Sequence, residues 1–141
     1  MRWDSELTWP RSKTSSRQPK LAGKDSKEGS VTGSWNVGTG ADLVTIGTPG
    51  DRQKLHSLCV GIGALTLGAV ITINLYMLVN TVPTKVYPPA GTTWTRGTDP
   101  DGIWVVNGTL EITGVLRVEV HSNQAGDNGR SVSFKYDLED M

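Results

Sequence analysis

The sequence has few of the residues on which disulfide, metal and thiol chemistry depend. Its 141 residues include one cysteine, Cys59, so no intramolecular disulfide can form. The two histidines, His56 and His121, lie far apart and lack metal-ligand spacing, which argues against a zinc site. Because Cys59 lies in an apolar run between Leu58 and Val60, we expect a buried and inert thiol.

Sequence motifs of enzymes and cofactor sites are also missing. No GxSxG sequence exists, and the glycine-rich residues 38–41 lack the Lys-Ser/Thr ending of a phosphate-binding loop. The run Asp99-Pro100-Asp101-Gly102 offers two carboxylates. Without further acidic residues at calcium spacing, this run favours a turn over a calcium site. We therefore predict a protein that is not an enzyme and that holds no metal or cofactor.

Aliphatic residues are almost absent from residues 1–34, where Lys, Arg, Ser, Gly and Pro dominate. A segment this polar cannot bury enough apolar surface to offset the entropy lost when it becomes ordered. Trp3 and Trp9 are nevertheless large apolar side chains that gain from a partner surface. We therefore predict an extended arm over residues 1–34, ordered on assembly, and one folded domain over residues 35–141.

The net charge is zero, but the charges are unevenly distributed. Through residue 30 there are seven basic and four acidic residues, which leaves about +3 there and about −3 in the remainder. A solvated tail and a nucleic-acid contact are alternatives for this basic run, but the negative domain argues against nucleic acid. We predict that the tryptophans and the basic residues of the arm contact a protein partner: Trp3, Trp9, Arg11, Lys13, Arg17, Lys20 and Lys24.

Charge is missing between Lys54 and Lys85, and residues 58–79 are long and apolar enough to suggest a membrane helix. Three glycines interrupt this run, however, and its second half alternates with a period of two, which indicates a strand with one buried face. We therefore predict no membrane contact. One face carries Ile71, Ile73, Leu75, Met77 and Val79, and the other carries Thr72, Asn74, Tyr76, Leu78 and Asn80.

Similar alternation and regularly spaced turn signals predict eight to ten short strands and no helix beyond a turn or two. Asn107-Gly108 is a strong signal for a two-residue hairpin. The pattern predicts an all-β antiparallel sandwich, a jelly roll first and an immunoglobulin-like sandwich second. The predicted strands are 33–38, 42–46, 54–65, 69–80, 84–87, 92–96, 103–106, 109–113, 115–121 and 131–139. Within 54–65, we expect one face to hold His56, Leu58, Val60, Ile62 and Ala64.

Three tryptophans in the domain, Trp35, Trp94 and Trp104, allow two interpretations. With the Asp99–Asp101 turn, they could line a sugar-binding face, as in lectin-like sandwiches. No cluster of paired Asp, Asn and Arg accompanies them, so we prefer the interpretation that they cap a small core. A carbohydrate-binding module therefore stays an alternative function.

The segments 51–58 (DRQKLHSL) and 71–76 (ITINLY) resemble small virion proteins of tailed bacteriophages. The segments 102–108 (GIWVVNG) and 116–120 (LRVEV) extend the resemblance over roughly residues 50–141. The chain is similar to the jelly-roll cement, or decoration, proteins that clamp neighbouring major-capsid subunits. The resemblance implies a structural role on the capsid surface of the virion, after assembly in the host cytoplasm, with the major capsid protein as partner.

We further expect a homo-oligomer, a dimer in preference to a trimer, with no direct contact to nucleic acid. A tail, neck or baseplate structural protein is an alternative that would use the same arm. If the capsid hypothesis holds, deleting residues 1–30 should leave the domain folded and prevent capsid binding.

Overall fold

The computed structural model describes residues 24–141, and residues 1–23 lie outside the described part. The described residues contain no helix long and apolar enough to span a membrane. Their regular structure consists of β-strands and one turn of 3-10 helix, Ala125–Asp127. The strands are β1 (Lys24–Thr32), β2 (Ala41–Ile46), β3 (Arg52–Gly61), β4 (Val70–Val79), β5 (Val82–Tyr87), β6 (Trp94–Thr95), β7 (Gly102–Thr113), β8 (Leu116–Ser122) and β9 (Ser131–Asp140).

The strands form two antiparallel sheets that pack face to face, which confirms the predicted all-β sandwich. One sheet has the order β1-β9-β3-β7, and the other has the order β2-β8-β4-β5, with the short β6 beside β4. Apart from β6, the first strand pairs with the last, the second with the second-last, and so on inward to β4 with β5. This nested pairing is consistent with a jelly roll.

The core lies between the two sheets and is built from one face of each strand. In β4, Ile71, Ile73 and Leu75 are fully buried, while Thr72 and Asn74 face outward, so the predicted period of two is confirmed there. Each fully buried Ile or Leu side chain stabilises the fold by roughly 2 kcal/mol relative to an exposed one. The alternation therefore fixes which face of β4 packs against the opposite sheet.

A polar strand, β1, forms the edge of the first sheet within the segment that the sequence places in the arm. Residues Lys24–Thr32 pair with β9 over their whole length. Backbone hydrogen bonds hold this edge, and Val31, the aliphatic residue of β1, packs against the core. The described part of the predicted arm, residues 24–34, thus contains a strand of the sandwich. The ordering of residues 1–23 on assembly stays a prediction.

The hairpin predicted at Asn107-Gly108 is wrong. β7 runs through this point, and Gly108 and Thr109 together lie opposite the single residue His56 of β3. Such a β-bulge places an extra residue in one strand, and Gly108 has a φ of 151°, which glycine adopts without steric cost. Pairing with β3 on both sides of the bulge keeps β7 extended, and this long-range pairing overrides the local turn signal.

A second bulge corrects the predicted face of β3. Against β9, Leu55 pairs with Leu138 and Ser57 pairs with Asp137, so His56 is an extra residue in β3. Leu55 and Leu58 are both buried although their positions differ by three, an odd number, and His56 points away from the core. Of the five residues predicted to share a face, Leu58, Val60 and Ile62 do so in the core. His56 does not, because it is the extra residue of β3 opposite β9 and shifts the alternation of β3 by one residue. Ala64 is exposed beyond the end of the strand.

Residues 33–38 form a turn instead of the predicted first strand. The turn is held by Trp35, which is fully buried and donates a hydrogen bond from Nε1 to the carbonyl oxygen of Arg130 at 2.7 Å. Trp94 is half-buried against the core. The core-cap interpretation is thus right for Trp35, whereas Trp104 is exposed on the outer face of the first sheet.

Candidate functional site

The predicted contact residues of the arm fall almost entirely outside the described part of the chain. Lys24 is the exception, and its backbone begins β1 by pairing with Glu139 of β9. The segment 1–23 therefore joins the sandwich at a sheet edge, and its role in partner binding stays a prediction. The predicted contact residues that lie outside the described part are Trp3, Trp9, Arg11, Lys13, Arg17 and Lys20.

His56 is a titratable side chain that contacts residues on two neighbouring strands. His56 Nδ1 lies 3.1 Å from Thr109 Oγ1, and His56 Nε2 lies 2.6 Å from Glu139 Oε1. The imidazole therefore joins the bulged part of β7 to β9 across β3. Within residues 24–141, no group of three or more His, Cys, Asp or Glu side chains is arranged to hold a metal ion.

The two carboxylates of the turn Asp99–Gly102 contact residues that precede the turn. Asp99 Oδ2 accepts a hydrogen bond from the backbone N–H of Thr95 at 2.7 Å, the local bonding that the sequence favours for this turn. Asp101 is exposed, and its Oδ1 lies 3.5 Å from Arg96 Nη1. The two carboxylates therefore have separate partners.

The prediction of a buried Cys59 thiol is wrong. Cys59 lies on the outward face of β3 and is half-buried, opposite Trp104 of β7 and Lys135 of β9. Burial raises the pKa of the thiol above its usual value, while the charge of Lys135 acts in the opposite direction. The thiol is therefore protonated near neutral pH and is a weak nucleophile.

An apolar hairpin extends past the strand that supports it. β4 pairs with β8 only up to Tyr76, and its last three residues pair with β5 alone. We call residues 77–84 the projecting hairpin. Leu78, Val79 and Val82 in it are 63%, 49% and 58% exposed. The predicted buried position of Val79 is therefore wrong, because the strand continues beyond the core.

Both faces of the projecting hairpin are apolar. Val79 pairs with Val82 on one face, and Leu78 pairs with Pro83 on the other. The projecting hairpin contains no charged residue, because the chain has no Asp, Glu, Lys or Arg from residue 55 to residue 84. Two uncharged faces on one projecting element can be covered together only if a partner receives the hairpin in a cleft.

The tip of the hairpin is a two-residue turn with left-handed backbone. Asn80 has a φ of 51° and Thr81 a φ of 65°. Positive φ at both central positions is the geometry of a type I′ turn, whose twist matches that of the flanking strands. Asn tolerates this conformation, whereas a β-branched residue such as Thr is strained in it. The turn therefore fixes the direction of the hairpin at some cost in stability.

A mostly apolar groove of about 410 Å³ lies at the base of the projecting hairpin. Leu78 and Pro83 form its hairpin side, and Pro49 and Val115 lie among the loop residues that close it. The groove is continuous with the hairpin face that carries Leu78 and Pro83, because both residues also line the groove. A partner that covers the hairpin also contacts this groove.

A fixed guanidinium group forms the polar wall of the groove. Arg117 Nη1 lies 2.7 Å from Asp42 Oδ1 and 3.4 Å from Glu119 Oε2, and its Cζ lies 4.5 Å from the centre of the Tyr76 ring. The hydrogen bond with Asp42 raises the pKa of Arg117 above its usual value. Burial and then Glu119 raise the pKa of Tyr76. This wall therefore keeps one charged and one neutral side chain in place.

The projecting hairpin was not predicted from the sequence, although one signal was present. Leu78 is the apolar exception on the face of β4 that otherwise carries Thr72, Asn74 and Tyr76. An apolar residue on the solvent face of a strand, followed by a turn residue such as Asn80, indicates an exposed apolar tip.

Comparisons with known proteins give no relative. The chain matches no family model, no curated protein and no solved structure.

Proposed function

We propose that this chain is a virion structural protein that binds and stabilises the major capsid shell as a cement, or decoration, protein. The observation that carries the proposal is the projecting hairpin, with Leu78, Val79 and Val82 exposed on two uncharged faces. Contiguous apolar surface on a soluble protein marks an interaction site, because covering it releases the water that it orders. A protein cleft between neighbouring subunits is the partner that fits a two-faced hairpin.

The position of the N-terminal segment supports the same role. Residues 1–23 join the sandwich at β1, the edge of the first sheet, whereas β5 of the projecting hairpin is the edge of the second sheet. The chain thus offers two binding elements on different sheets. On a lattice of repeated subunits, the first contact raises the effective concentration of the second, so two weak contacts give firm attachment.

The chemistry of the two elements is complementary rather than redundant. The hairpin is uncharged, so it contributes apolar burial, while the segment from Arg11 to Lys24 carries positive charges alone. We expect the arm to lie on an acidic surface of the capsid protein, with Trp3 and Trp9 as apolar anchors. The amount of chain that co-sediments with capsids should therefore fall as the salt concentration rises, because salt screens the attraction between the basic arm and the acidic surface.

Co-sedimentation with purified, tail-free capsids of the virus that encodes the chain tests this proposal. We expect the double variant Leu78→Asp/Val82→Asp to bind about tenfold or more weakly, because two buried apolar contacts become charged. The matched control is Val37→Asp, which places a charge on an exposed apolar residue far along the chain from the hairpin. The control should bind like the wild type.

Equal occupancy of the double variant and the wild type would show that the hairpin is not the binding element. If the chain binds isolated tails but no tail-free capsids, the proposal is wrong and the tail, neck or baseplate alternative applies. Melting curves of all variants accompany the assay, since the substituted side chains are exposed and should leave stability unchanged within about 0.5 kcal/mol.

A further inference from the structure

A large aromatic side chain is exposed on the sheet that does not carry the projecting hairpin. Trp104 of β7 is 57% exposed and points outward from the β1-β9-β3-β7 sheet. Its neighbour on β3 is Cys59, and the next residue across the sheet is Lys135 of β9. More than half of the Trp104 side chain is therefore open to solvent.

Beside the indole, the sheet has almost no side chains. Gly102 of β7 pairs with Gly61 of β3, and Gly61 pairs with Ser133 of β9. These residues lie two positions from Trp104, Cys59 and Lys135 along their strands, so they share the outward face. The strip of two glycines and one serine forms the floor of a shallow groove of about 550 Å³, which we call the Trp104 groove.

The rim of the Trp104 groove is polar and balanced in charge. Lys135 of β9 and Glu28 of β1 are paired neighbours across the sheet, and both line the groove. An ammonium group donates hydrogen bonds, a carboxylate accepts them, and the Ser133 hydroxyl does both. Because the two charges cancel, the groove has no electrostatic preference for a phosphate or another strongly charged ligand.

This surrounding distinguishes the Trp104 groove from a protein hot spot. At a protein interface, an aromatic anchor enters a desolvated pocket and is surrounded by contacts that exclude water. Here the lining beside the indole combines glycine backbone, Cys59 and the half-buried Phe134 with the Ser133 hydroxyl and two charged side chains. These polar groups would lose hydration under an apolar partner. A ligand with one apolar face and many hydroxyl groups satisfies both parts of the surface.

We propose that the Trp104 groove binds a neutral glycan, with a pyranose ring stacked on the indole of Trp104. The C–H face of the sugar packs on the aromatic ring, and its hydroxyl groups reach the rim residues Lys135, Glu28 and Ser133. The glycine floor allows the sugar to approach the backbone of β3 and β7. The volume lies in the range of small-ligand sites. This activity is independent of capsid binding through the hairpin.

Saturation-transfer NMR on the full chain tests the proposal with a panel of neutral disaccharides: maltose, cellobiose, lactose and N,N′-diacetylchitobiose. We expect transfer to the ring protons of at least one member. Trp104→Ala should weaken that binding roughly tenfold, because the aromatic stacking contact and the surface that it buries are lost. Because Trp104 is exposed, its removal should not unfold the chain.

A second variant fills the floor and keeps the indole. A Cβ added at Gly102 would meet only Cys59 Sγ, at 3.6 Å, so Gly102→Val fits the strand while occupying the groove. It should abolish transfer, and the control Val82→Ala on the other sheet should leave it unchanged. The proposal is overturned if no panel member shows transfer, or if Trp104→Ala and Gly102→Val leave transfer unchanged. Loss of capsid occupancy in Trp104→Ala without any sugar binding would instead assign this face to a protein partner.

Discussion

At the scale of single residues, Asp127 is the buried charge that connects three separate segments. Its carboxylate accepts hydrogen bonds from the backbone N–H and the hydroxyl of Thr66, at 2.7 and 2.6 Å, and from the hydroxyl of Ser122. Burial alone would raise the pKa of Asp127, but these hydrogen bonds together hold it below its usual value. The ionised carboxylate is therefore bound more favourably in the folded chain than in the unfolded chain.

Replacing Asp127 with alanine should lower the free energy of unfolding by about 2–3 kcal/mol, because hydrogen bonds to a charged group are lost and their donors are left buried. Urea denaturation at pH 7 measures the change. Asp101→Ala is the matched control, since its carboxylate is exposed. A loss for Asp127→Ala no larger than that for the control would contradict the assigned role.

The pH dependence of this effect has a defined sign. Because the folded pKa of Asp127 lies below the unfolded value of about 3.9, the contribution is complete well above pH 4 and is lost as pH falls through the folded pKa. The stability difference between wild type and Asp127→Ala should therefore shrink between pH 5 and about pH 2. A difference that stays constant over this range would contradict the ionised role of Asp127.

At the scale of secondary-structure elements, the tip of the projecting hairpin is a position where substitution should stabilise the fold. Thr81 has a φ of 65°, which a β-branched residue adopts only with strain. Thr81→Gly should raise the free energy of unfolding by up to about 1 kcal/mol, because glycine carries no Cβ in this conformation. The matched control, Thr84→Gly in β5, should be destabilised.

Chemical denaturation of both variants measures the change. A lower stability for Thr81→Gly than for the wild type would show that the Thr81 side chain, whose Oγ1 donates to the carbonyl oxygen of Asn80 at 2.6 Å, outweighs the backbone strain.

The position of the edge strand β1 determines how many N-terminal residues can be deleted without a loss of stability. Deleting residues 1–23 keeps every pair between β1 and β9, whereas deleting residues 1–30 removes most of them. We expect the shorter deletion to keep the melting temperature. The longer one should lower it by roughly 5 °C or more, since the lost pairing is worth a kcal/mol or more.

Differential scanning calorimetry of the two truncated chains tests this expectation. Equal melting temperatures would mean that β1 contributes nothing to stability, which would contradict its place in the sheet. For the proposed capsid binding, the truncation at residue 23 is the sharper test. It removes both N-terminal tryptophans and four of the five basic residues between Arg11 and Lys24, and it retains β1.

How much of the fold could be predicted depends on whether local pattern and long-range pairing agree. β4 and β9 alternate cleanly, so their buried faces are visible in the sequence. β1 carries too few apolar residues to show an alternation, because an edge strand can be held by backbone pairing alone. The sequence Asn107-Gly108 correctly indicates a backbone conformation that favours glycine. Whether that conformation belongs to a bulge or to a hairpin depends on the pairing of β7 with β3.

At the scale of the whole molecule, the sandwich presents three different surfaces: the sheet edge where residues 1–23 join, the projecting hairpin and the Trp104 groove. For the first surface, the sequence predicts an arm, from the lack of aliphatic residues before residue 35, but it does not predict the edge strand β1. The other two depend on which side chains extend past the core and which face an empty strip of sheet. Both follow from register, for example the pairing of Gly61 with Gly102, and a single sequence does not show register.

The central claim is the proposed role in the virion. Electron cryo-microscopy of intact virus particles from the source of this chain tests it most directly, because it shows whether and where the sandwich lies in the particle. We expect density for the two sheets on the outer surface of the capsid, at junctions between neighbouring major-capsid subunits, with residues 77–84 in contact with the shell. Density for the sandwich in a tail, neck or baseplate ring, or its absence from the capsid surface, would contradict the proposal.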